Sequence, residues 1–521
     1  MKTPSDDLYR LIQALTPTER ALFRKSVARK QVAGDRNYIT LFNLAEKKKT
    51  GVDEPALIKT LGYEKKKATF SALKNYLYNE IMDMLVRSGD KTSPAMQSLQ
   101  QIQQLDILAE KGLLDQYMKW WRKVYKDAVK NEHFQLRFML KEQLHGLKMN
   151  FIIKTNHAQL KAMIDEDEEF AEEYNRLQKM KNLYLHIQLY NKQSQIRLRE
   201  SEMADIQKLF GHPLLEAMPP QSGMHYRYYF NMSMALLNYL THEYHQAYKI
   251  LDGLKTDLIK HKTILQINPH LGIEFINVFY LVSFLCRQYE AFFQFLDHPV
   301  NQFRHSENHS AFIAAFRANS RLRFYMTNGY YTEAGRHLTE TEKNITRHLP
   351  HMPLEVKQQL MGSISISHFI LGRYPEAFHY NKECMKTFHD NPREDIQRYI
   401  YAMSILIAYE LNNVRLLLNE CDNAYQFFYR KKLMTSFEET LISFFRKISR
   451  VHGRKSRREK FAELRTRLDK IRKDPIMGQV FRYFNFYGWA ESREMGITYM
   501  EYVQQTRRNQ PADAEKPRET R

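Results

Sequence analysis

Apolar residues recur every three or four positions through most of the chain and rarely alternate with polar ones, a pattern that predicts helices and scarcely a strand. The stripe Phe70, Leu73, Leu77, Ile81 and Leu85 predicts an amphipathic helix from about Lys67 to Val86. Upstream, Thr16-Pro17-Thr18-Glu19 supplies an N-cap, a proline at the first helical position and a glutamate placed to close a capping box. Ile39, Leu41, Phe42 and Leu44 mark a helix from about Asn37 to Lys49, and another starts at Asp53-Glu54-Pro55 and ends at Gly62. Residues 1–90 thus read as a bundle of five short helices, closed by the polar breaks Ser88-Gly89-Asp90 and Thr92-Ser93-Pro94.

Beyond the break the helices lengthen. Leu99 to Ala109, the turn Lys111-Gly112, and Leu113 to Lys130 with Trp120 and Trp121 form helix, turn and helix. The acidic run Asp165 to Glu169 reads as the solvated start of a long helix that turns basic by Lys179 and Lys181, the order the helix macrodipole favours. From Tyr226 onward a pattern repeats. Its copies are Glu243-Tyr244-His245-Gln246-Ala247, Tyr289-Glu290-Ala291, Gly329-Tyr330-Tyr331-Thr332-Glu333-Ala334 and Leu371-Gly372-Arg373-Tyr374-Pro375-Glu376-Ala377, with Leu411-Asn412-Asn413-Val414 a weaker fifth. The aligned positions 244, 289, 331, 374 and 414 lie 45, 42, 43 and 40 apart, a helical-hairpin period. Gly or Asn suits a left-handed turn between two helices, the tyrosine packs over that turn, and alanine lets the second helix approach the first. A single hairpin cannot bury its apolar face, so neighbours must stack.

The stretch Leu371 to Ala377 resembles a tetratricopeptide repeat. Gly372, Tyr374 and Ala377 fall on that motif's turn glycine, aromatic and small second-helix residue, and Ser365 and Cys384 occupy two further small positions. Tyr244 with Ala247, Tyr289 with Ala291, and Gly329, Tyr331 and Ala334 carry parts of the same signature. Leu322 replaces the small residue before Gly329, and Val414 and Leu417 replace Tyr and Ala in the fifth copy. The period also exceeds the roughly 34 residues of that family. As a whole the chain is similar to uncharacterised bacterial proteins with a small N-terminal helical domain followed by such repeats. The resemblance implies an all-α fold, a tetratricopeptide-like solenoid of helical hairpins preceded by a small helical bundle, with a concave groove that takes a protein or peptide. No cofactor and no metal are expected. The expected organisation is the bundle at 1–90, long helices with degenerate repeats at 95–225, clear repeats at 226–445, basic capping helices at 446–508 and a disordered tail rich in Pro and charge at 509–521.

Composition agrees with long helices: 31 Phe, 32 Tyr and 23 Met stand against 18 Gly and 16 Pro in 521 residues. Cys286, Cys384 and Cys421 sit singly in apolar stretches, which suits buried thiols in a reducing compartment. The first residues carry no apolar leader, and the longest greasy run, Leu271 to Cys286, is interrupted by Glu274 and Asn277. A cytoplasmic protein without membrane insertion is the expectation. The net charge of +20 adds a field that attracts nucleic acid, acidic proteins or anionic lipid.

Catalytic signatures are missing: there is no phosphate loop, HExxH, GxSxG elbow or strand-borne GxGxxG, so no enzyme is expected. His305 with His309, and His348 with His351, lack a third ligand and read as surface histidines. A nucleic-acid reading has two bases. Glu54 to Thr60, the turn Leu61-Gly62-Tyr63 and the helix that follows resemble a helix-turn-helix in outline, with Lys65, Lys66, Lys67 and Lys74 near phosphates and Ser71 and Asn75 near base edges. That helix lacks an arginine or glutamine fork for reading bases, and a solvated basic helix start explains the lysines equally. The second base is Arg446 to Arg458, with Arg454, Lys455, Arg457 and Arg458. From Arg446 to Arg521, twenty Lys or Arg stand against ten Asp or Glu. This cluster either grips RNA or an acidic partner, or is an exposed turn before a final helix. The aromatic run Phe481 to Trp489 beside it either stacks bases or forms a capping core. Two functions follow: a non-enzymatic scaffold that binds protein or peptide, or a regulator whose N-terminal domain touches DNA or RNA while the repeats act as a sensor.

Overall fold

A computed structural model describes residues 7–29, 36–47, 54–64, 66–88, 94–151, 157–194, 200–220, 222–301, 307–345, 348–349, 352–388, 394–451, 453–474, 480–481 and 484–508. Among these residues every regular element is a helix and no strand occurs. The chain divides into two compact units, Met1–Asp106 and Ile107–Arg521.

The first unit holds α1 (Asp7–Ala14), α2 (Pro17–Arg29), α3 (Arg36–Lys47), α4 (Glu54–Thr60), α5 (Lys67–Ser88) and most of α6 (Pro94–Glu110), so the division falls inside a helix rather than at the polar break. The expected capping box starts α2: the Thr16 N–H donates to Glu19 Oε2 at 2.7 Å and the Glu19 N–H to Thr16 Oγ1 at 3.2 Å. Phe70, Leu77 and Ile81 bury one face of α5 against Ile12, Phe23, Leu41 and Phe42, with Leu73 and Leu85 partly covered. Burial of each such side chain contributes about 1.5–3 kcal/mol. Gly62 ends α4 at φ +72°, a value that glycine adopts without strain.

The second unit continues with α7 (Leu114–Lys130), α8 (Phe134–Phe151), α9 (His157–Ser194), α10 (Glu200–Phe210) and α11 (Pro213–Glu216). Here the structure corrects the sequence. Asp165 to Glu169 do not start a helix but lie inside α9, which begins at His157. Four of the five acids are exposed, as a solvated run should be, but two are also engaged: Lys141 of α8, only 9% exposed, reaches Asp167 at 2.5 Å and Glu166 at 3.4 Å, and the Tyr125 hydroxyl of α7 donates to Glu166. Lys141 on the facing helix, not a helix end, compensates Glu166 and Asp167, while Asp165, Glu168 and Glu169 are exposed.

Hairpins follow: α12 (Met224–Leu240) with α13 (Tyr244–Lys260); then, after the short α14 (Thr263–Ile267), α15 (Pro269–Leu285) with α16 (Tyr289–Asp297). Next come α17 (Glu307–Thr327) with α18 (Tyr331–Ile345), α19 (Leu354–Ile370) with α20 (Tyr374–Met385), and α21 (Glu394–Glu410) with α22 (Val414–Lys431). The five aligned positions Tyr244, Tyr289, Tyr331, Tyr374 and Val414 are each the first residue of a hairpin's second helix. Every turn before them has a left-handed residue, at His242, Arg287, Gly329, Gly372 and Asn412, with φ between 52° and 73°. The chemistry expected there was Gly or Asn; His242 and Arg287 depart from it and carry the strain of a side chain in that conformation. Four turns repeat one bond: the N–H of Glu243, Gln288, Tyr330 or Arg373 returns to the carbonyl of Asn238, Ser283, Tyr325 or His368 at 2.8–2.9 Å.

Close approach within the hairpins uses the small residues. Ala247, Ala334 and Ala377 are wholly buried, and the Ser365 hydroxyl of α19 donates to the Ala377 carbonyl of α20 at 2.8 Å. Cys384 and Cys421 are buried, and desolvation raises both thiols to about 12, so neither is reactive near neutrality. Each first helix packs on its own second helix and on the next first helix, from α15 to α17, α19, α21 and then α23 (Ser436–Ile448). The run ends in α24 (Arg454–Lys473), α25 (Phe486–Met495) and α26 (Tyr499–Arg508). Phe484, Phe486 and Trp489 are buried among Phe369, Phe437, Phe445 and Phe461, so this part of the aromatic run forms core and is closed to bases. The run Leu271 to Cys286 is the buried α15 and its cap, and among the described residues no helix is long and apolar enough to cross a membrane.

Candidate functional site

Two surfaces stand out in the second unit. The first is a groove of about 580 Å³ between α18 and the α19–α20 turn. The stripe of α18 formed by Ala334, Leu338 and Ile345 is buried, which leaves Thr332, Arg336, Thr339, Glu340 and Lys343 on its outer side. These residues line the groove together with Tyr331 of the same helix and Leu371 and Arg373 of the turn. Gly335 lies at its base: a Cβ there would meet an Arg373 guanidinium nitrogen at 3.8 Å and Leu371 Cδ1 at 3.9 Å. Arg336, Lys343 and Arg373 against Glu340 give the groove a positive balance, suited to carboxylates or backbone carbonyls of an extended segment.

The second surface lies at α22–α24. Arg454, Lys455, Arg457 and Arg458 are not a turn but the first five positions of α24, with Ser456, and all are exposed. Arg457 Nε donates to the Val451 carbonyl at 3.1 Å and Arg458 Nη2 to the Met495 carbonyl at 3.4 Å. No acid occupies the first turn and Gly453 provides no side-chain cap. Cations at a helix N-terminus oppose the macrodipole, so apart from the carbonyl contacts of Arg457 and Arg458 local stability does not account for the cluster. On α22, Tyr425 and Tyr429 are 42% and 69% exposed, with rings parallel to within 14° and centroids 5.9 Å apart. The Arg446 guanidinium of α23 lies 5.2 Å from the Tyr425 centroid and pairs with Asp422 at 2.6 Å.

The N-terminal candidates fare differently. Lys65 lies outside the described residues, and Lys66 is exposed just before α5, whose first residue is Lys67. Ser71 and Asn75 are exposed on α5. Lys74 is turned inward: its ammonium pairs with Glu54 at 2.9 Å, with 11% of the side chain exposed, and lies over the Tyr9 and Phe70 rings. It ties α4 to α5 and is withdrawn from any phosphate. His305 and His351 lie outside the described residues; His309 is half-buried on α17, where burial lowers its pKa. Among the described residues no cluster of His, Cys, Asp and Glu could hold a metal ion.

Sequence reasoning passed over Arg336, Arg373, Tyr425 and Tyr429. The tyrosines had a signal: each lies one position past the buried stripe Leu417, Cys421, Ala424 and Phe428, off the core face of α22. The groove had none, since part of its lining is contributed by the next hairpin. Compared with family models, curated proteins and solved structures, the chain matches none.

Proposed function

We propose that the protein is a non-enzymatic, cytoplasmic scaffold, built as a tetratricopeptide-like array of hairpins, that binds a peptide or protein segment. The observation that supports this reading is the groove of about 580 Å³ between α18 and the α19–α20 turn, formed where two successive hairpins meet. Arrays in which each unit contacts only its neighbours offer such inter-unit clefts as binding surfaces, and the groove pairs hydrogen-bonding side chains with an apolar contact at Leu371. Guanidinium groups at Arg336 and Arg373 favour a segment that bears carboxylates.

Peptide-display selection against the full chain tests the reading. Peptides rich in Asp or Glu should be enriched, and their binding should fall about tenfold or more in Arg336→Glu/Arg373→Glu, since truncation of a central contact costs upwards of 1 kcal/mol. It should be unchanged in Lys126→Glu/Lys130→Glu on α7. Selected peptides indifferent to the groove variant would defeat the proposal.

A further inference from the structure

Half of the chain's positive balance is concentrated in one stretch. Residues 414–473 hold seventeen Lys and Arg against seven Asp and Glu, a net +10 of the chain's +20. Two of those acids do not face solvent: Glu420 pairs with Lys382 and Glu438 with Arg398, both buried and both matched by cations from outside the stretch. Arg454, Lys455, Arg467 and Lys470 are exposed and form no ion pair with a carboxylate among the described residues. Alongside this charge stands the parallel pair Tyr425 and Tyr429, with Arg446 against the first ring.

The geometry points to a binding strip for single-stranded nucleic acid along α22, the end of α23 and the start of α24. Its parts follow one another along the chain. Arg446 joins the tyrosine pair to α23, Arg450 follows one helical turn later in sequence, and the Arg457 bond to Val451 holds the start of α24 against the preceding segment. A single strand alternates phosphates with unpaired base faces, and this surface sets cations beside two exposed aromatic side chains. A duplex keeps its bases stacked and has no use for the tyrosines, and an acidic protein segment offers carboxylates but nothing to lie flat on two parallel rings. The inference is independent of the groove at α18–α20.

Fluorescence anisotropy of the full chain with labelled oligo(U) and oligo(dT) of about 20 nucleotides, at roughly 50–200 mM salt, tests it. Both should bind. Tyr425→Ala/Tyr429→Ala should weaken binding at least about tenfold, while Tyr425→Phe/Tyr429→Phe, which keeps the rings, should stay near the parent. Arg454→Ala/Lys455→Ala/Arg457→Ala/Arg458→Ala should flatten the log–log salt dependence by about 0.7 for each phosphate that is no longer neutralised. Charge removal at exposed Lys119, Lys126, Lys130 and Lys262 should leave binding unchanged. All these side chains are exposed, and far-UV circular dichroism checks that each variant is folded. Absence of oligonucleotide binding would overturn the inference. So would equal affinity for duplex DNA or poly(glutamate) with the tyrosine variants unaffected, since that result describes a general polyanion surface or an acidic-protein partner.

Discussion

Glu132 and Gly223 are complementary in shape: a Cβ at position 223 would fall 2.7 Å from the Glu132 carboxylate, so the bare backbone makes the space that the acid fills. Glu132 is in the left-handed turn between α7 and α8, at φ +50°, and its carboxylate caps α12. The Met224 N–H donates to it at 2.5 Å and the His225 N–H at 2.9 Å, with His225 Nδ1 at 3.1 Å. On the other side of the ring, His225 Nε2 lies 3.0 Å from Asn268 Nδ2. Gly223→Ala should cost about 2 kcal/mol by overpacking, and Glu132→Ala about 2 kcal/mol by orphaning two helix-start N–H groups. The double variant should lose less than the sum, because the alanine methyl then enters vacated space; urea unfolding of the four proteins measures the coupling.

The same carboxylate sets a pH dependence. Burial alone would raise the Glu132 pKa, but the donors from His225 and Met224 outweigh it and hold the group below its ordinary value. A depressed carboxylate contributes stability that is complete above the unfolded-state pKa and is lost as pH falls through the folded value. The stability gap between the parent and Glu132→Gln should therefore be full at neutral pH, narrow below about pH 4.5 and close in stronger acid. A gap independent of pH would show that the charge is not what caps α12.

The hairpin turns make a test of opposite signs. Gly372 has φ +73°, and no atom lies within 4 Å of the place a methyl group would take there, so Gly372→Ala carries only the left-handed strain, about 1 kcal/mol. Arg287, exposed at φ +56°, already carries such strain, and Arg287→Gly should raise the thermal midpoint where Gly372→Ala lowers it. Differential scanning calorimetry of both variants checks the pair.

Between consecutive first helices, Gly362 of α19 admits the Tyr399 hydroxyl of α21, which would collide with any side chain there. Tyr399 is 3% exposed and cannot swing into solvent. Gly362→Ala should cost about 2 kcal/mol, and adding Tyr399→Phe, which removes the colliding oxygen, should recover part of it. Chemical denaturation without such recovery would place the clash elsewhere.

How far the sequence reached can be judged residue by residue. Helices with strong local signals were legible: the Thr16–Glu19 box, the α5 stripe through Phe70 and Leu77, and the five hairpin positions, where periodicity held throughout and turn chemistry agreed at Gly329, Gly372 and Asn412. Where tertiary contacts decide, sequence reading failed. The acids at 165–169 look like a helix start only if Lys141 and Tyr125 are unseen, and Lys74 looks like a phosphate contact only if Glu54 is. His242 and Arg287 hide left-handed turns behind residues that seldom adopt them. The groove of Arg336 and Arg373 was illegible for a similar reason: periodicity identifies the outer side of α18 as polar but says nothing of the turn that comes to face it.

The contacts made by α25 bear on how the chain acquires its structure during synthesis. Arg493 pairs with Glu410 at 2.8 Å and reaches the Tyr374 hydroxyl at 3.5 Å, and the Trp489 indole donates to Glu410 at 2.7 Å. These partners are separated by up to 119 residues. At 5–20 residues per second, a ribosome needs roughly ten seconds to deliver Arg493 after Tyr374 has been joined to the chain. Until then the ring of Tyr374, and the carboxylate of Glu410 once it is made, lack these neighbours, so α19–α22 emerge before the residues that complete them and stay open to a chaperone or protease on the nascent polypeptide.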